Sequence, residues 1–385
     1  MSSYHENGSV ASLNVKAGKI TIEEDAFVGV IAVDKDATSS SVKVQNSGIV
    51  FATEVITYKA DLAHEVIDNP TEAQSAIVNT VETTSTSDTI KIGSADALIN
   101  LASAQSQGIV VGALKIELTS DIDLSGKTWI PFGADLTKDD HHEFNGTIDG
   151  KNYKIIGMSN GSYRGVQIAN GTTGQIGEHY GFIANAGTVA INNLSFTSVN
   201  INSDSATVCG AVVAYAESSN VTLNNVKVEG NITGADKVAG LIGYAKVDST
   251  VVISNCLVNA NLTAHEYRIG GYLGFVADNT TVSISNSSFG GSIVAENSTN
   301  KTPYIGAIGS IHQASASSVT GVHLTVSKFT VLEGAQIQDN PALAANKKVS
   351  TSNGKVLVAI MTGTVTTSGI TDNVVTGQDF MVSVI

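Results

Sequence analysis

An internal repeat of about 30 residues runs through the middle of the chain and restricts its fold more than any other feature. Five segments share a glycine followed by a short apolar run, and successive glycines lie 29, 30, 31 and 35 residues apart. A period in this range is typical of solenoids and repeat arrays. The repeat glycines are Gly181, Gly210, Gly240, Gly271 and Gly306.

A second column of residues follows the glycines in four of the five repeats. It contains asparagines at spacings of 32, 30 and 31 residues. Identical side chains stack when successive repeats pair, so we expect these asparagines to hydrogen-bond along a ladder. The repeat glycines are expected at tight corners or at positions of positive φ. The asparagine column is Asn193, Asn225, Asn255 and Asn286.

The repeats have the composition and the alternation of strands. Residues 222–229 and 281–286 alternate apolar and polar side chains with a period of two, which is typical of half-buried strands. Good helix formers are sparse there, which disfavours helical repeats. The sequence therefore predicts an all-β fold in which each repeat is one coil of a parallel β-solenoid, with coils about 4.8 Å apart.

The flanking regions suggest further elements. Residues 94–105 predict a short helix with Ser94 as N-cap and with Leu98 and Leu101 on one face. We expect it to cover the open end of the solenoid. The predicted organisation is residues 1–68 as a β segment or cap, 69–93 as a linker or loop, 94–331 as the solenoid, and 332–385 as a C-terminal β segment.

Charge excludes several classes of partner. The chain has 21 basic and 35 acidic residues and a net charge of −14, without the basic stripe that nucleic acids and anionic membranes require. No run of 18 apolar residues is present, so we expect no membrane insertion. The polar first ten residues contain no recognisable signal peptide. We therefore expect either a piece of a secreted protein or a protein that is not exported.

Three motifs come in a fixed order between the helix and the repeats, at residues 118–124, 129–133 and 144–150. With this order, residues 94–329 resemble the GLUG-type β-helix domains of bacterial surface proteins, which include adhesins and peptidase ectodomains. The resemblance implies a right-handed parallel β-helix of the pectin-lyase-like type at the cell surface. It supplies no catalytic residues.

Acidic residues form two columns in the polar turns. Our main interpretation is that they are solvated and maintain solubility. The alternatives are a calcium site between stacked carboxylates of the first column and, less favoured, a pair of catalytic carboxylates. The first column is Glu217, Asp248 and Asp278. The second, looser column is Asp204, Asp236, Glu266 and Glu296.

The remaining polar candidates are isolated. Residues 139–143 (Asp-Asp-His-His-Glu) predict an exposed loop, with a loose divalent-metal site as the alternative. Cys209 and Cys256 lie in apolar stretches and are expected to be buried rather than joined in a disulfide. Three single histidines occupy unrelated positions in the repeat, namely His265, His312 and His323.

Aromatic residues gather around the repeat glycines. Core packing is the favoured interpretation because their neighbours are apolar, and a tyrosine stripe that stacks on sugars is the alternative. These residues are Tyr180, Phe182, Tyr215, Tyr244, Tyr272, Phe275 and Tyr304.

These features favour a non-enzymatic recognition or scaffold protein. We expect an adhesin-like chain, outside the cell or on its surface, that binds a glycan or a surface protein and has no cofactor apart from the calcium alternative. A homo-oligomer is also compatible with the sequence. The first alternative function is a virion component, such as a tail fibre, spike or capsid decoration protein. The second is a polysaccharide lyase or glycoside hydrolase.

Overall fold

A computed structural model describes most of the repeat region. For several outlying strands, within residues 3–68, 166–178, 365–367 and 379–384, it describes the backbone alone. The ranges described with side chains are 89–99, 101–103, 105–106, 112–134, 142–160, 179–204, 207–277, 279–297, 301–312, 322–341, 343–344, 347–350, 355–359 and 361.

Strands dominate these residues, and one helix, α1 (Ala95–Ser106), interrupts them. Its 12 residues are preceded and followed by strands. The strands, in chain order, are β1 (Ser3–Glu6), β2 (Ser9–Val15), β3 (Gly18–Ile22), β4 (Phe27–Val33), β5 (Val42–Asn46), β6 (Ile49–Val50), β7 (Ile67–Asp68), β8 (Ile90–Ile92), β9 (Leu114–Leu118), β10 (Ile122–Asp123), β11 (Phe144–Asp149), β12 (Lys154–Ile156), β13 (Val166–Asn170), β14 (Gln175–Tyr180), β15 (Ile183–Asn202), β16 (Val208–Gly210), β17 (Val213–Gly234), β18 (Val238–Ala239), β19 (Ile242–Lys246), β20 (Thr250–Ser254), β21 (Leu257–Ala264), β22 (Arg268–Gly270), β23 (Leu273–Val276), β24 (Thr281–Phe289), β25 (Ser292–Ala295), β26 (Tyr304–Gly306), β27 (Gly309–Ile311), β28 (His323–Val331), β29 (Gln336–Ile337), β30 (Lys348–Ser350), β31 (Val356–Ile360), β32 (Val365–Thr367) and β33 (Asp379–Val384).

The strands form one large sheet and three smaller ones. The large sheet joins 20 strands, β8 to β12, β15, β17, β19 to β21, β23 to β25 and β27 to β33, and most of its pairings are parallel. A six-stranded sheet has the order β13-β14-β16-β18-β22-β26. The strands before residue 69 form a four-stranded and a three-stranded sheet. The prediction of an all-β fold is therefore confirmed.

Parallel pairing between successive repeats aligns equivalent residues, and this alignment builds the core. Each strand of a repeat is in register with the strand about one period later, so inward side chains stack on one another. Burying an aliphatic side chain contributes about 1.5–3 kcal/mol, so each row adds a large apolar term. One fully buried row consists of Ile116, Ile148, Ile191, Leu223, Ile253, Ile284 and Val326.

Helix α1 lies at the N-terminal side of this stack. The Ser94 hydroxyl accepts a hydrogen bond from the Ala97 amide at 3.2 Å, as expected of an N-cap. Leu98 and Leu101 are buried in the same apolar core as the strands. The predicted helix, its cap and its apolar face are therefore confirmed. Among the residues that the structure describes, no helix combines the length and the apolar character needed to cross a membrane.

The paired region is wider than the predicted solenoid. Strand β8 begins at Ile90, inside the predicted linker, and pairs with β9. In the C-terminal segment, β29, β31 and β33 pair with strands of the repeats. The large sheet therefore includes parts of both predicted flanking segments.

Of the two predicted backbone roles for the repeat glycines, the structure supports the corner and not the positive φ. The glycines do not have positive φ, so that alternative is wrong. They lie at or beside bends where backbones of successive repeats come close. A Cβ on Gly240 would lie 2.6 Å from the carbonyl oxygen of Gly271, and one on Gly271 would overlap that of Ala307. Glycine is required here because no side chain fits between the repeats.

Positive φ belongs instead to the asparagines. Asn193, Asn225, Asn255 and Asn286 have φ values of 52°, 54°, 56° and 48°. Asparagine tolerates this left-handed conformation better than most residues, which explains the column. The predicted ladder is present in part, since Asn225 donates to Asn193 at 3.0 Å. Asn255 donates to Asn224, one residue outside the column, at 2.8 Å.

Candidate functional site

A column of aromatic rings follows the stack on its outer side. We call it the outer aromatic column, and its adjacent ring centroids are 4.7, 5.6, 5.2 and 5.8 Å apart. None of these rings belongs to the main apolar core. The column consists of His179, Tyr215, Tyr244, Phe275 and His312.

Strand register places the central rings. Tyr215 of β17 pairs with Tyr244 of β19, which pairs with Phe275 of β23. Each ring comes two residues after an inward aliphatic residue in the same strand, namely Val213, Ile242 or Leu273. Tyr215 and Tyr244 remain half-buried, whereas Phe275 is buried. The repeat thus aligns the rings, and the part of the column formed by Tyr215 and Tyr244 reaches solvent.

Cations lie against these rings. Lys246 Nζ is 5.6 Å from the centroid of Tyr215 and 5.9 Å from that of Tyr244. Arg268 Cζ is 4.5 Å from the ring centroid of Phe275. These distances are within the range of cation–π attraction. The rings and cations therefore form one connected cluster across three repeats.

Two cations of this cluster share one buried carboxylate. Asp236 accepts hydrogen bonds from both Nε (3.0 Å) and Nη2 of Arg268, and Lys237 Nζ lies 3.2 Å from it. Burial disfavours the charged acid, yet the two cations hold the pKa of Asp236 below its ordinary value. Burial lowers the pKa of Lys237. The pKa of Arg268 is raised in spite of burial by its hydrogen bonds to Asp236.

A second carboxylate lies beside the exposed part of the column. The hydroxyl of Tyr215 donates to Glu217, and Lys246 Nζ is 3.2 Å from the other carboxylate oxygen. Burial, with the nearby Glu217 charge, raises the pKa of Tyr215, so this residue stays a phenol. This edge therefore presents two rings, a hydroxyl and a compensated ion pair.

His179 at the first end of the column is neutral. Burial, together with the charges of Lys237 and Lys246, lowers its pKa to about 3, although a hydrogen bond with Asn185 opposes the shift. Asn185 in turn donates to the Gly133 carbonyl at 2.7 Å. His179 is therefore a packing residue of the column and carries no charge at neutral pH.

The aromatic residues near the glycines divide into two groups. Tyr180, Phe182 and Tyr272 belong to the main core, which confirms the favoured interpretation for them. Tyr215, Tyr244 and Phe275 lie outside that core, and Tyr304 packs against a separate small cluster. Core packing therefore does not describe the half-buried Tyr215 and Tyr244, whereas Phe275 is buried as the favoured interpretation predicts. Strict alternation would place Tyr215 on the same face as Val213, so the sequence pattern does not separate the two groups.

The structure separates the first acidic column. Glu217 is in register with Lys246 rather than with another acid, and Asp248 accepts a hydrogen bond from Asn279. Asp278 lies outside the described residues. Within the described ranges, no group of three or more His, Cys, Asp or Glu residues is arranged to hold a metal. Glu217 and Asp248 thus have other partners, and the calcium site stays a prediction.

The second acidic column has three different environments. Asp236 belongs to the buried cluster described above, and Glu266 lies 3.6 Å from Lys301. Asp204 and Glu296 both approach His265, at 3.1 and 2.6 Å. The sequence shows His265 only as a single histidine and does not predict this contact, because the contact joins turns of different repeats.

The structure describes both cysteines and part of the 139–143 loop. Cys209 and Cys256 are buried free thiols, as predicted, and burial raises the pKa of Cys256 to about 11. Of the 139–143 loop, residues 139–141 lie outside the described residues. The carbonyl groups of His142 and Glu143 accept hydrogen bonds from Gln105.

Comparisons with known proteins add little. No protein-family model matches the chain. No curated protein matches it. A search of solved structures found similarity to one from Bacteroides ovatus, described as a "putative immunoglobulin A1 protease". The two chains share 15% identity and a TM-score of 0.37, over 70% of this chain and 92% of the other. A TM-score this low does not establish a common fold.

Proposed function

We propose that the chain is a right-handed parallel β-helix that acts as a non-enzymatic, adhesin-like recognition scaffold outside the cell, with the outer aromatic column as its glycan contact. Support for the β-helix comes from parallel register between repeats of about 30 residues. The order of motifs in residues 94–329, which resembles that of bacterial surface domains, supports the location.

The outer aromatic column is the observation that carries the glycan proposal. Its half-buried members Tyr215 and Tyr244 have centroids 5.6 Å apart along the direction in which repeats stack. Tyrosine combines an apolar face for the C–H surface of a sugar with a polar edge for its hydroxyl groups. Glu217 and Lys246 lie at that edge and supply an acceptor and a donor. A chain of sugars extended along the stack would contact both rings.

Charge favours a neutral glycan. Lys246 is paired with Glu217, while Arg268 and Lys237 share Asp236. Three cations and two carboxylates leave this cluster with a net charge of about +1, which is too little to select a polyanion. The whole chain carries −14, which repels polyanions at long range.

The test is a glycan array, followed by calorimetric titration of the array ligand into the wild type and two variants. We expect Tyr244→Ala to weaken binding at least tenfold, since stacking on a half-buried ring that reaches solvent is lost. Tyr153→Ala is the matched control, because Tyr153 is 36% exposed and is not part of the column. Equal binding by both variants, or no array ligand among neutral glycans, would refute the proposal.

A further inference from the structure

A histidine and two carboxylates from different repeats meet at a turn beside the six-stranded sheet. The imidazole of His265 lies between two carboxylates, with Nδ1 at 2.6 Å from Glu296 Oε2 and Nε2 at 3.1 Å from Asp204 Oδ1. The His265 side chain is 25% exposed, whereas that of Asp204 is 94% exposed. None of the three residues is a member of the outer aromatic column or of the main apolar core.

The two nitrogen atoms of His265 have different partners. Nδ1 makes a short hydrogen bond with Glu296, which fixes Nδ1 as the donor in the neutral ring. Nε2 then carries a lone pair. Nε2 is buried and has no hydrogen-bond partner, even though Asp204 Oδ1 is only 3.1 Å away. Two electron-rich atoms therefore face each other without a hydrogen atom directed between them.

The distance between His265 Nε2 and Asp204 Oδ1, and the lack of a hydrogen bond between them, match two ligands of one cation. An oxygen that is 3.1 Å from Nε2 but off the hydrogen-bond axis is poorly placed to accept a proton from it. Two ligands bound at about 2.1 Å to one metal, with a bond angle near 90–110°, are about 3.0–3.4 Å apart. The Asp204–His265 separation falls in that range.

We propose that His265 Nε2 and Asp204 bind a first-row divalent metal, with Zn²⁺ as the expected ion, and that Glu296 orients the imidazole from behind. A carboxylate on the second ring nitrogen is the usual support of a metal-binding histidine. An imidazole ligand favours zinc and its neighbours over calcium, which prefers oxygen alone. The metal would join the turn of Asp204 to that of His265, two repeats away.

Asn297 offers a further oxygen at the same turn. Its side-chain Oδ1 is the second buried polar atom without a partner among the described residues, and His265 Nε2 is the first. The backbone amide of Asn297 bonds the Glu266 carbonyl, next to His265 in sequence. Apart from Glu296 on the far ring nitrogen, no further His, Cys, Asp or Glu of the described residues is placed to bind the metal. This amide and water would therefore complete the ligand set, and we expect micromolar affinity.

The experiment titrates Zn²⁺ into the full chain by calorimetry and Co²⁺ by absorption spectroscopy. We expect one site in the wild type, its loss in His265→Gln, and at least a tenfold weaker site in Asp204→Asn. Glu296→Gln should weaken binding 10- to 100-fold through the lost orientation of the ring. His323→Gln, at an exposed histidine of β28, is the matched control and should bind as the wild type does.

Folding of each variant is checked by its melting curve without metal. Asp204 is almost fully exposed, so Asp204→Asn keeps the test valid even where His265→Gln unfolds. Undiminished affinity in Asp204→Asn, or in a folded His265→Gln, would overturn the proposal. Failure of the wild type to bind at millimolar Zn²⁺ would overturn it as well.

Discussion

The inner aliphatic rows and the outer aromatic column are built by the same strands but follow different rules. The row through Leu223 and Ile253 keeps an aliphatic residue in every repeat, and it needs no polar partner. The column changes from Tyr215 to Tyr244 to Phe275, and charged neighbours hold it in place. Stacking therefore restricts the class of an inward residue, while an outward residue is free to vary and to acquire a function.

The largest effect is expected when the buried negative charge beside the outer aromatic column is removed. Asp236→Asn keeps the size of a buried side chain but leaves Arg268 and Lys237 without their anion. Removing one partner of a buried ion pair costs about 3–5 kcal/mol because the remaining charge is uncompensated. Urea denaturation of the variant against the wild type measures the loss.

The control for this change is Asp248→Asn, at an exposed turn. A surface substitution of this kind should alter the free energy of unfolding by no more than about 0.5 kcal/mol. Comparable stabilities for Asp236→Asn and the wild type would show that the outer cluster does not depend on its buried charge.

The next largest effect is expected when a side chain of an inner aliphatic row is truncated. Ile253→Ala removes a fully buried side chain from the middle of a row and leaves a cavity between Leu223 and Ile284. We expect a loss of about 2–5 kcal/mol in the free energy of unfolding. Val252→Ala is the matched control, because Val252 precedes it in the same strand, points outward and is 38% exposed. Similar losses for both variants would contradict the assignment of inner and outer faces.

Sequence alone recovers the inner side better than the outer side. The alternation in residues 222–229 predicts which side chains point inward, and the structure agrees, with Leu223, Val226 and Val228 buried. Around Tyr215 the alternation is hidden, because residues 211–216 are all apolar. The sequence therefore predicts that an outward ring such as Tyr215 is a core residue. The contact of His265 with Asp204 depends on how two turns are folded, which no residue pattern encodes.

A smaller effect is expected in the pH dependence of stability, through His179 at the first end of the outer aromatic column. Unfolded His179 takes up a proton near pH 6.5, whereas the folded residue does so only near its pKa of about 3. Its contribution is fully present above pH 6.5 and is lost as pH falls towards 3, by up to about 1.4 kcal/mol per pH unit. Urea denaturation at several pH values in this window measures the slope.

The variant His179→Gln should reduce that slope by one proton, and His323→Gln, at an exposed site, should leave it unchanged. A His179→Gln slope equal to that of the wild type would mean that the first end of the column admits a charged imidazole.

The smallest expected effect concerns the corner between the two sides, where Asn225 has a φ of 54° and donates to Asn193. Backbone conformation and the ladder hydrogen bond both explain an asparagine there, and two substitutions separate them. Asn225→Ala loses both and should cost about 1–2 kcal/mol, mostly from left-handed strain. Asn225→Gly loses only the hydrogen bond, and because glycine adopts positive φ readily, we expect it to recover most of the stability in thermal and urea unfolding. A glycine variant as unstable as the alanine variant would show that the ladder, rather than the backbone, selects asparagine at this corner.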